Sequence, residues 1–321
     1  METSADALFR GKSMLFQSAP ELGTIECTGG EVRTWLNGLV TCDLMPRKVG
    51  EGAFGLCVGK TGKVLAELYV ALLAEERFLI GLRREAVAPI LEHFDKHLVM
   101  EDVALADLSA DLAWSFVHGA PARGLAGVVT EAGGHLVPLD FTGTGTCAVI
   151  APVAAEAKVK EALSAKAGDA MSWATPEEWS AFRVERGVPW FGAEFDESTY
   201  PQEAALERFG VSFQKGCYLG QEAVFMLQVR GHVKKRLVQI ALDSGANVDA
   251  VKPGAAIERP DDGAIGAVTS VTTTPDGRTL ALGHVKYKHA KPGEAFVIGG
   301  ARGTSTDVVP APKKGDLRSR S

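Results

Sequence analysis

The sequence predicts an α+β protein that changes, near residue 233, into a small all-β module, a barrel or a sandwich. Three observations carry this. Up to residue 232, strand-like patterns are mixed with helix-like patterns. From Lys234, the short strand-like runs 236–242, 256–259, 265–272, 280–285 and 291–299 alternate with turns such as Pro253-Gly254, Pro260-Asp261-Asp262-Gly263 and Pro275-Asp276-Gly277. The 321 residues, 46% hydrophobic and 23% charged, have the balance of a globular protein and suffice for two or three domains or subdomains. The expected division is an α+β region over 1–232, the β module over 233–304, and a polar, disordered tail over 305–321.

The elements follow in order. Residues 1–18 are a polar lead-in with a short apolar patch, and 23–27 read as a strand. Val32, Trp35, Leu36, Leu39 and Val40 recur at helical spacing, with Thr28 as the expected cap. Strands over 52–58, 63–73 and 78–82 are separated by Gly59-Lys60-Thr61-Gly62 and Glu75-Glu76-Arg77, an antiparallel meander. Residues 84–98 form an amphipathic helix with Val87, Ile90, Leu91, Phe94 and Leu98 on one side. His93 and His97 share a face of it. No Glu follows the first His in the metalloprotease manner, so the pair reads as a solvated face. Strands over 103–108 and 112–118 follow, then a small-residue turn at 141–146 and a helix over 153–167. Thr175-Pro176-Glu177-Glu178 is a helix start, with a capping Thr, Pro in the first turn and acids at the positive end of the dipole. A short helical segment begins at Pro201. For 222–228 the periodicity fits helix and strand alike.

A net charge of −6 and a pI near 5.7 exclude a general nucleic-acid or membrane-surface binder. No apolar run reaches the length of a membrane span. The acidic start lacks the basic and apolar regions of a signal peptide, and the cytoplasm is the expected compartment. The five cysteines, Cys27, Cys42, Cys57, Cys147 and Cys217, contain no Cys-x-x-Cys pair. Neither a disulfide framework nor a zinc knuckle is expected, and no metal site is predicted.

Chemistry concentrates in one stretch, Lys215-Gly216-Cys217-Tyr218-Leu219-Gly220-Gln221-Glu222. A thiol reacts as its thiolate, which a nearby ammonium favours. Gly216 and Gly220 allow turns closed to other residues. The stretch therefore reads as a loop displaying a reactive sulfur, Cys217, with Lys215 beside it. The residues alone also fit a loop holding a buried, inert cysteine.

The octapeptide K-G-C-Y-x-G-Q-E, followed by Val229-Arg230-Gly231, resembles the signature of the YgfZ-type folate-binding proteins, relatives of the glycine-cleavage T-protein (aminomethyltransferase). The resemblance extends from about Leu22 to Ile298. Trp35-Leu36-Asn37-Gly38-Leu39-Val40-Thr41-Cys42-Asp43, Gly62–Leu68, Arg183-Val184-Glu185-Arg186-Gly187-Val188-Pro189, Tyr200-Pro201-Gln202-Glu203-Ala204 and Gly283-His284-Val285 all have counterparts. It implies two interleaved T-protein-like subdomains over 1–232 around a folate-sized central cavity and a C-terminal β-barrel. A pterin presents two adjacent N–H donors, which suit a carboxylate or a pair of acceptors. The p-aminobenzoyl ring of a folate suits aromatic or apolar walls, and the folate's glutamate tail suits Arg or Lys. Trp35, Asn37, Asp43, Arg183, Glu185, Tyr218 and Arg230 are the candidates for these contacts, with Cys217 and Lys215 as the catalytic pair.

Three departures argue against aminomethyl transfer. The enzyme's early carboxylate pair is Ala66-Glu67 here, its Gly-Glu-Asp-Gly turn is Gly145-Thr146-Cys147-Ala148, and one of its arginines falls on Trp179. Cys42 before Asp43 and Leu219 in the signature are milder departures. The resemblance thus implies a tetrahydrofolate-binding accessory protein for synthesis or repair of iron–sulfur proteins, and through such enzymes for tRNA modification. Its partners are then folate and iron–sulfur proteins or their assembly factors. A folate-dependent one-carbon transferase, using Glu67 or Asp43, and a scaffold with a vestigial cavity are the alternatives.

Overall fold

In the computed structural model, which describes residues 13–229, 233–274 and 276–306, the strands sort into two five-stranded sheets and a closed six-stranded barrel. In chain order the elements are β1 (Met14–Ser18), β2 (Leu22–Thr28), α1 (Val32–Asn37), β3 (Gly52–Val58), β4 (Val64–Ala74), β5 (Arg77–Arg83), α2 (Val87–Asp95), β6 (Ala104–Asp107) and β7 (Leu112–His118). There follow α3 (Ala126–Glu131), β8 (His135–Pro138), β9 (Cys147–Pro152), α4 (Glu156–Ala167), β10 (Met171–Trp173), α5 (Pro176–Arg186) and α6 (Gln221–Val229). The barrel strands are β11 (Lys235–Leu242), β12 (Ala256–Arg259), β13 (Gly263–Thr273), β14 (Thr279–Lys286), β15 (Ala295–Ile298) and β16 (Ala301–Thr306).

Two compact units result. One takes the described residues through Thr61, with 65–175 and 210–221; the other takes 62–64, 176–209 and the described residues from Glu222 onward. The first unit holds both sheets, ordered β10-β1-β7-β9-β8 and β3-β4-β5-β2-β6. Successive side chains of a strand point to opposite faces, and β4 is buried on both. Ala66, Leu68, Val70 and Leu72 join a core with Trp35 and Leu36 of α1 and Ile90 and Phe94 of α2. On the other face, Tyr69 meets Phe54, Phe116 and Phe141 at ring-centroid distances of 5.4, 5.0 and 5.2 Å.

In the second unit the barrel order is β11-β14-β13-β12-β15-β16. Ile240, Val268, Val285 and Phe296 lie in its core. β13 shifts register between Val268 and Ser270. Such a bulge re-aims a side chain, and Ser270 is the one that receives the Arg183 guanidinium.

The α+β class and the C-terminal barrel agree with the sequence reading. Some elements differ. β1 lies in the stretch expected as lead-in, where it pairs with both β7 and β10. β8, β10, α3 and β16 were not expected; most are short, and three- or four-residue strands carry little periodicity. Thr28 does not cap α1. It is the last residue of β2, paired with Arg77 and Ala104, and Glu31 precedes the helix without a side-chain cap bond. Residues 221–229 are helical. The last strand runs two residues into the expected tail, because Ser305 and Thr306 pair with Ile240 and Gln239. Arg230, Gly231, Pro275, the first twelve residues of the lead-in and the tail from residue 307 lie outside the described residues.

Candidate functional site

The signature loop is laced to the segment that follows α1. A six-residue helix leaves carbonyls without intrahelical donors at its C-terminal end. Lys215, 178 residues away from Asn37, reaches one of them and two carbonyls of the segment beyond: its Nζ donates to the carbonyls of Asn37 (2.6 Å), Val40 (2.7 Å) and Cys42 (2.7 Å). The backbone adds Ser212 N to Thr41 O and Leu219 N to Gly38 O, both 2.9 Å. The Thr41 hydroxyl donates to the carbonyl of Gly210 and accepts from the amide of Leu56 at 2.8 Å. Burial pushes the Lys215 ammonium down to about 8, opposed by Cys42 and Asp43.

An ammonium has three donors and no acceptor. All three Lys215 protons go to these carbonyls, so none is left for Cys217. The sequence leaves open whether Lys215 points at Cys217 or away from it; in the structure its donors face the segment after α1. Cys217 itself is exposed, whereas Cys27, Cys42, Cys57 and Cys147 are buried. Burial raises the thiols of Cys42 and Cys147 to about 11 and that of Cys57 to about 12, and that of Cys27 further in the same direction. Cys27, Cys42 and Cys57 share the core under α1. Among the described residues, no three His, Cys, Asp or Glu side chains group to hold a metal.

The two loop glycines differ. Gly220 has φ +78°, and a Cβ on it would stand 2.3 Å from the carbonyl oxygen of Gly59. Gly216 has an ordinary φ and open space around it. Tyr218, 6% exposed, has its ring 5.3 Å from the Lys215 Nζ and its hydroxyl without a hydrogen-bond partner. Gln221, whose amide donates to the Tyr218 carbonyl at 3.1 Å, opens α6, with the exposed Glu222 in its first turn.

Of the other predicted residues, Asn37 and Asp43 flank the same turn. Asn37 Oδ1 accepts from Leu44 N at 2.9 Å, and Asp43 Oδ1 from Met45 N at 3.1 Å. Trp35 is a core residue, edge-on to Phe94, with its indole N–H donated to the carbonyl of His97 at 3.0 Å. Arg183 and Glu185 belong to the second unit and do not pair with each other. Arg183 donates to Glu194 (2.9 Å) and Ser270 (2.8 Å), and Ser270 donates to Glu194 (2.6 Å), a closed buried triad. Glu185 pairs with Arg278 at 3.2 Å. His93 and His97 pack ring on ring at 4.8 Å, each half-buried rather than fully solvated.

Glu67 emerges from β4 as a fully buried carboxyl, 3% exposed, raised by burial to about 8 despite Arg83 nearby. On the same strand face Tyr69 is pushed well up by burial. Beside this aromatic face His118, bonded to Thr146 and Gln17, is pushed down to about 3. Sequence reasoning did not select Thr41 as a site residue, although it lies inside a matched motif. Nothing in the pattern separates a loop-tethering hydroxyl from any other threonine.

Residues 10–149 match the family model for the GCVT N-terminal domain. The tRNA-modifying protein YgfZ of Aliivibrio fischeri is 27% identical over 80% of this chain and 80% of its own. The chain is a YgfZ-type relative of the aminomethyltransferases. Another relative of this YgfZ-type chain is the mitochondrial iron-sulfur cluster assembly factor IBA57 homolog of Aspergillus fumigatus, 24% identical over 75% of this chain and 61% of its own. The crystal structure of the glycine cleavage system aminomethyltransferase T from Bartonella henselae superposes with a TM-score of 0.76 at 18% identity, covering 94% of this chain and 88% of that one, which establishes the shared fold. No helix among the described residues is long and apolar enough to cross a membrane.

Proposed function

We propose that this protein is a tetrahydrofolate-binding accessory factor for the synthesis or repair of iron–sulfur proteins, including those that serve tRNA modification, and that Cys217 is its working thiol. The observation that carries this is selective exposure. Of five cysteines, four are buried and one stands exposed on a loop tied down by a lysine. The tRNA-modifying and cluster-assembly relatives supply the biological setting. An iron–sulfur cluster takes four ligands, and one exposed thiolate supplies one of them. The protein therefore acts on a cluster or sulfur held chiefly by a partner, or on a one-carbon unit carried by the folate.

The residues around the loop fit such a ligand. Tyr218 keeps a buried hydroxyl without a partner, and Asp43 keeps a second carboxylate oxygen for an N–H edge. Tetrahydrofolate, when bound, supplies amines that carry one-carbon units. Around it, Asp43 would accept from the donor edge, Tyr218 would orient the ring, and the tethered loop would hold Cys217 in place. Asn37 lends its side chain to the turn that presents Asp43. Trp35 and Arg183 act through packing and ion pairing rather than contact.

The one-carbon transferase reading is weaker. It needs Glu67 or Asp43 as a base, and Glu67 is neutral below about pH 8. Anaerobic calorimetric titration with tetrahydrofolate tests the binding, and iron–sulfur enzyme activity in cells carrying Cys217→Ala tests the role. Binding by the wild type and a loss of enzyme activity from a normally folded variant are expected. No binding at millimolar ligand, or unchanged enzyme activity, overturns the proposal.

A further inference from the structure

We propose that Lys215 is the positioning residue of the signature loop, its ammonium plugging a three-carbonyl cup after α1 so that Cys217 is held in place. The three acceptors, Asn37 O, Val40 O and Cys42 O, lie within 2.6–2.7 Å of one nitrogen. Convergence of three neutral oxygens on one point matches the three protons of a primary ammonium. The last-turn carbonyls of Thr34, Trp35 and Leu36 accept from backbone amides just beyond α1; the cup is made of the next carbonyl, that of Asn37, together with those of Val40 and Cys42 in the segment that follows. Leu219 N to Gly38 O and Ser212 N to Thr41 O clamp the loop on either side of the lysine. The residue two places on is then fixed by geometry alone. Burial of the ammonium, which lowers it to about 8, is consistent with a site closed to bulk water.

This inference rests on the reading of Cys217 as the working thiol, but its test uses neither folate nor a partner. Amide exchange over 214–219 and the pH midpoint of Cys217 alkylation are measured in the wild type and in K215A. Because the other four cysteines are buried, alkylation of the native chain reports Cys217. Loss of charge-assisted bonds is expected to raise loop exchange about tenfold or more, with the alkylation midpoint unmoved. Adding n-propylammonium, which replaces the deleted atoms, restores protection, and tetramethylammonium, which has no N–H, does not. A midpoint shifted upward, unchanged exchange, or failure of n-propylammonium to restore protection overturns the proposal. If K215A does not fold, K215R is read in the same way. It keeps the charge on a planar fork whose protons diverge, so a loosened loop with an unmoved midpoint is expected, and wild-type protection refutes the cup. Failure of tetrahydrofolate to bind leaves these readouts intact, so the two proposals fail separately.

Discussion

Replacing Glu67 with Gln is expected to flatten the dependence of stability on pH and to make the protein more stable than the wild type above about pH 8. The carboxyl lies inside the first unit on β4, and burial raises it from its ordinary 4.5 to about 8 against the pull of Arg83. Between those two values the folded chain holds a proton that the unfolded chain has released. The stabilisation is therefore complete below pH 4.5 and is lost as pH rises through about 8. At about 1.4 kcal/mol per pH unit, the loss across that window reaches up to about 5 kcal/mol. Glu21, also raised by burial, leaves a smaller slope of the same sign in both proteins. Urea unfolding at a series of pH values between about 5 and 9 reads the effect directly. E67Q has no proton to release at this position, so its profile should fall less steeply than the wild type's. Parallel profiles would refute the argument, and with it the statement that Glu67 is a neutral acid rather than a base near neutrality.

Two further outcomes are expected. Gly220→Ala forces a side chain into left-handed backbone and onto the Gly59 carbonyl, and should destabilise by about 2 kcal/mol or more. Gly216→Ala, with open space around it, should stay within about 0.5 kcal/mol; equal effects in thermal or urea unfolding would show that the loop does not hold the conformation described. Arg183→Ala leaves Glu194 and Ser270 buried without their cation and should cost about 3–5 kcal/mol. A marginal loss in urea unfolding would mean that the triad is not a structural pair, and would return Arg183 to the folate-contact candidates.

Much of the fold was legible because it follows from periodicity. The meander over β3, β4 and β5 shows apolar runs broken by Gly and charged turns, and the barrel shows short strands between Pro-Gly and Asp-Gly turns. What escaped was short or non-local. β1 reads as a lead-in because its meaning lies in pairing with β7 and β10, which begin 98 and 157 residues later. The cap expected from Thr28 failed for a related reason. Strand pairing on both sides of β2 competes with helix capping for that residue, and pairing prevails.

The sequence by itself determined where reactive residue types gather, one octapeptide with a thiol, a lysine and two glycines, and the family likeness that goes with it. Composition and local pattern suffice for that, since residue type and spacing are written in the chain. Only the tertiary structure decided which partner each group takes. Lys215 reaches three carbonyls near residue 40 rather than the thiol two places on. Arg183 finds Glu194 and Ser270 rather than Glu185. Gly220 is required and Gly216 is not. These choices depend on distances between atoms far apart in sequence, and hydrogen bonding and burial act on those distances, not on the order of residues.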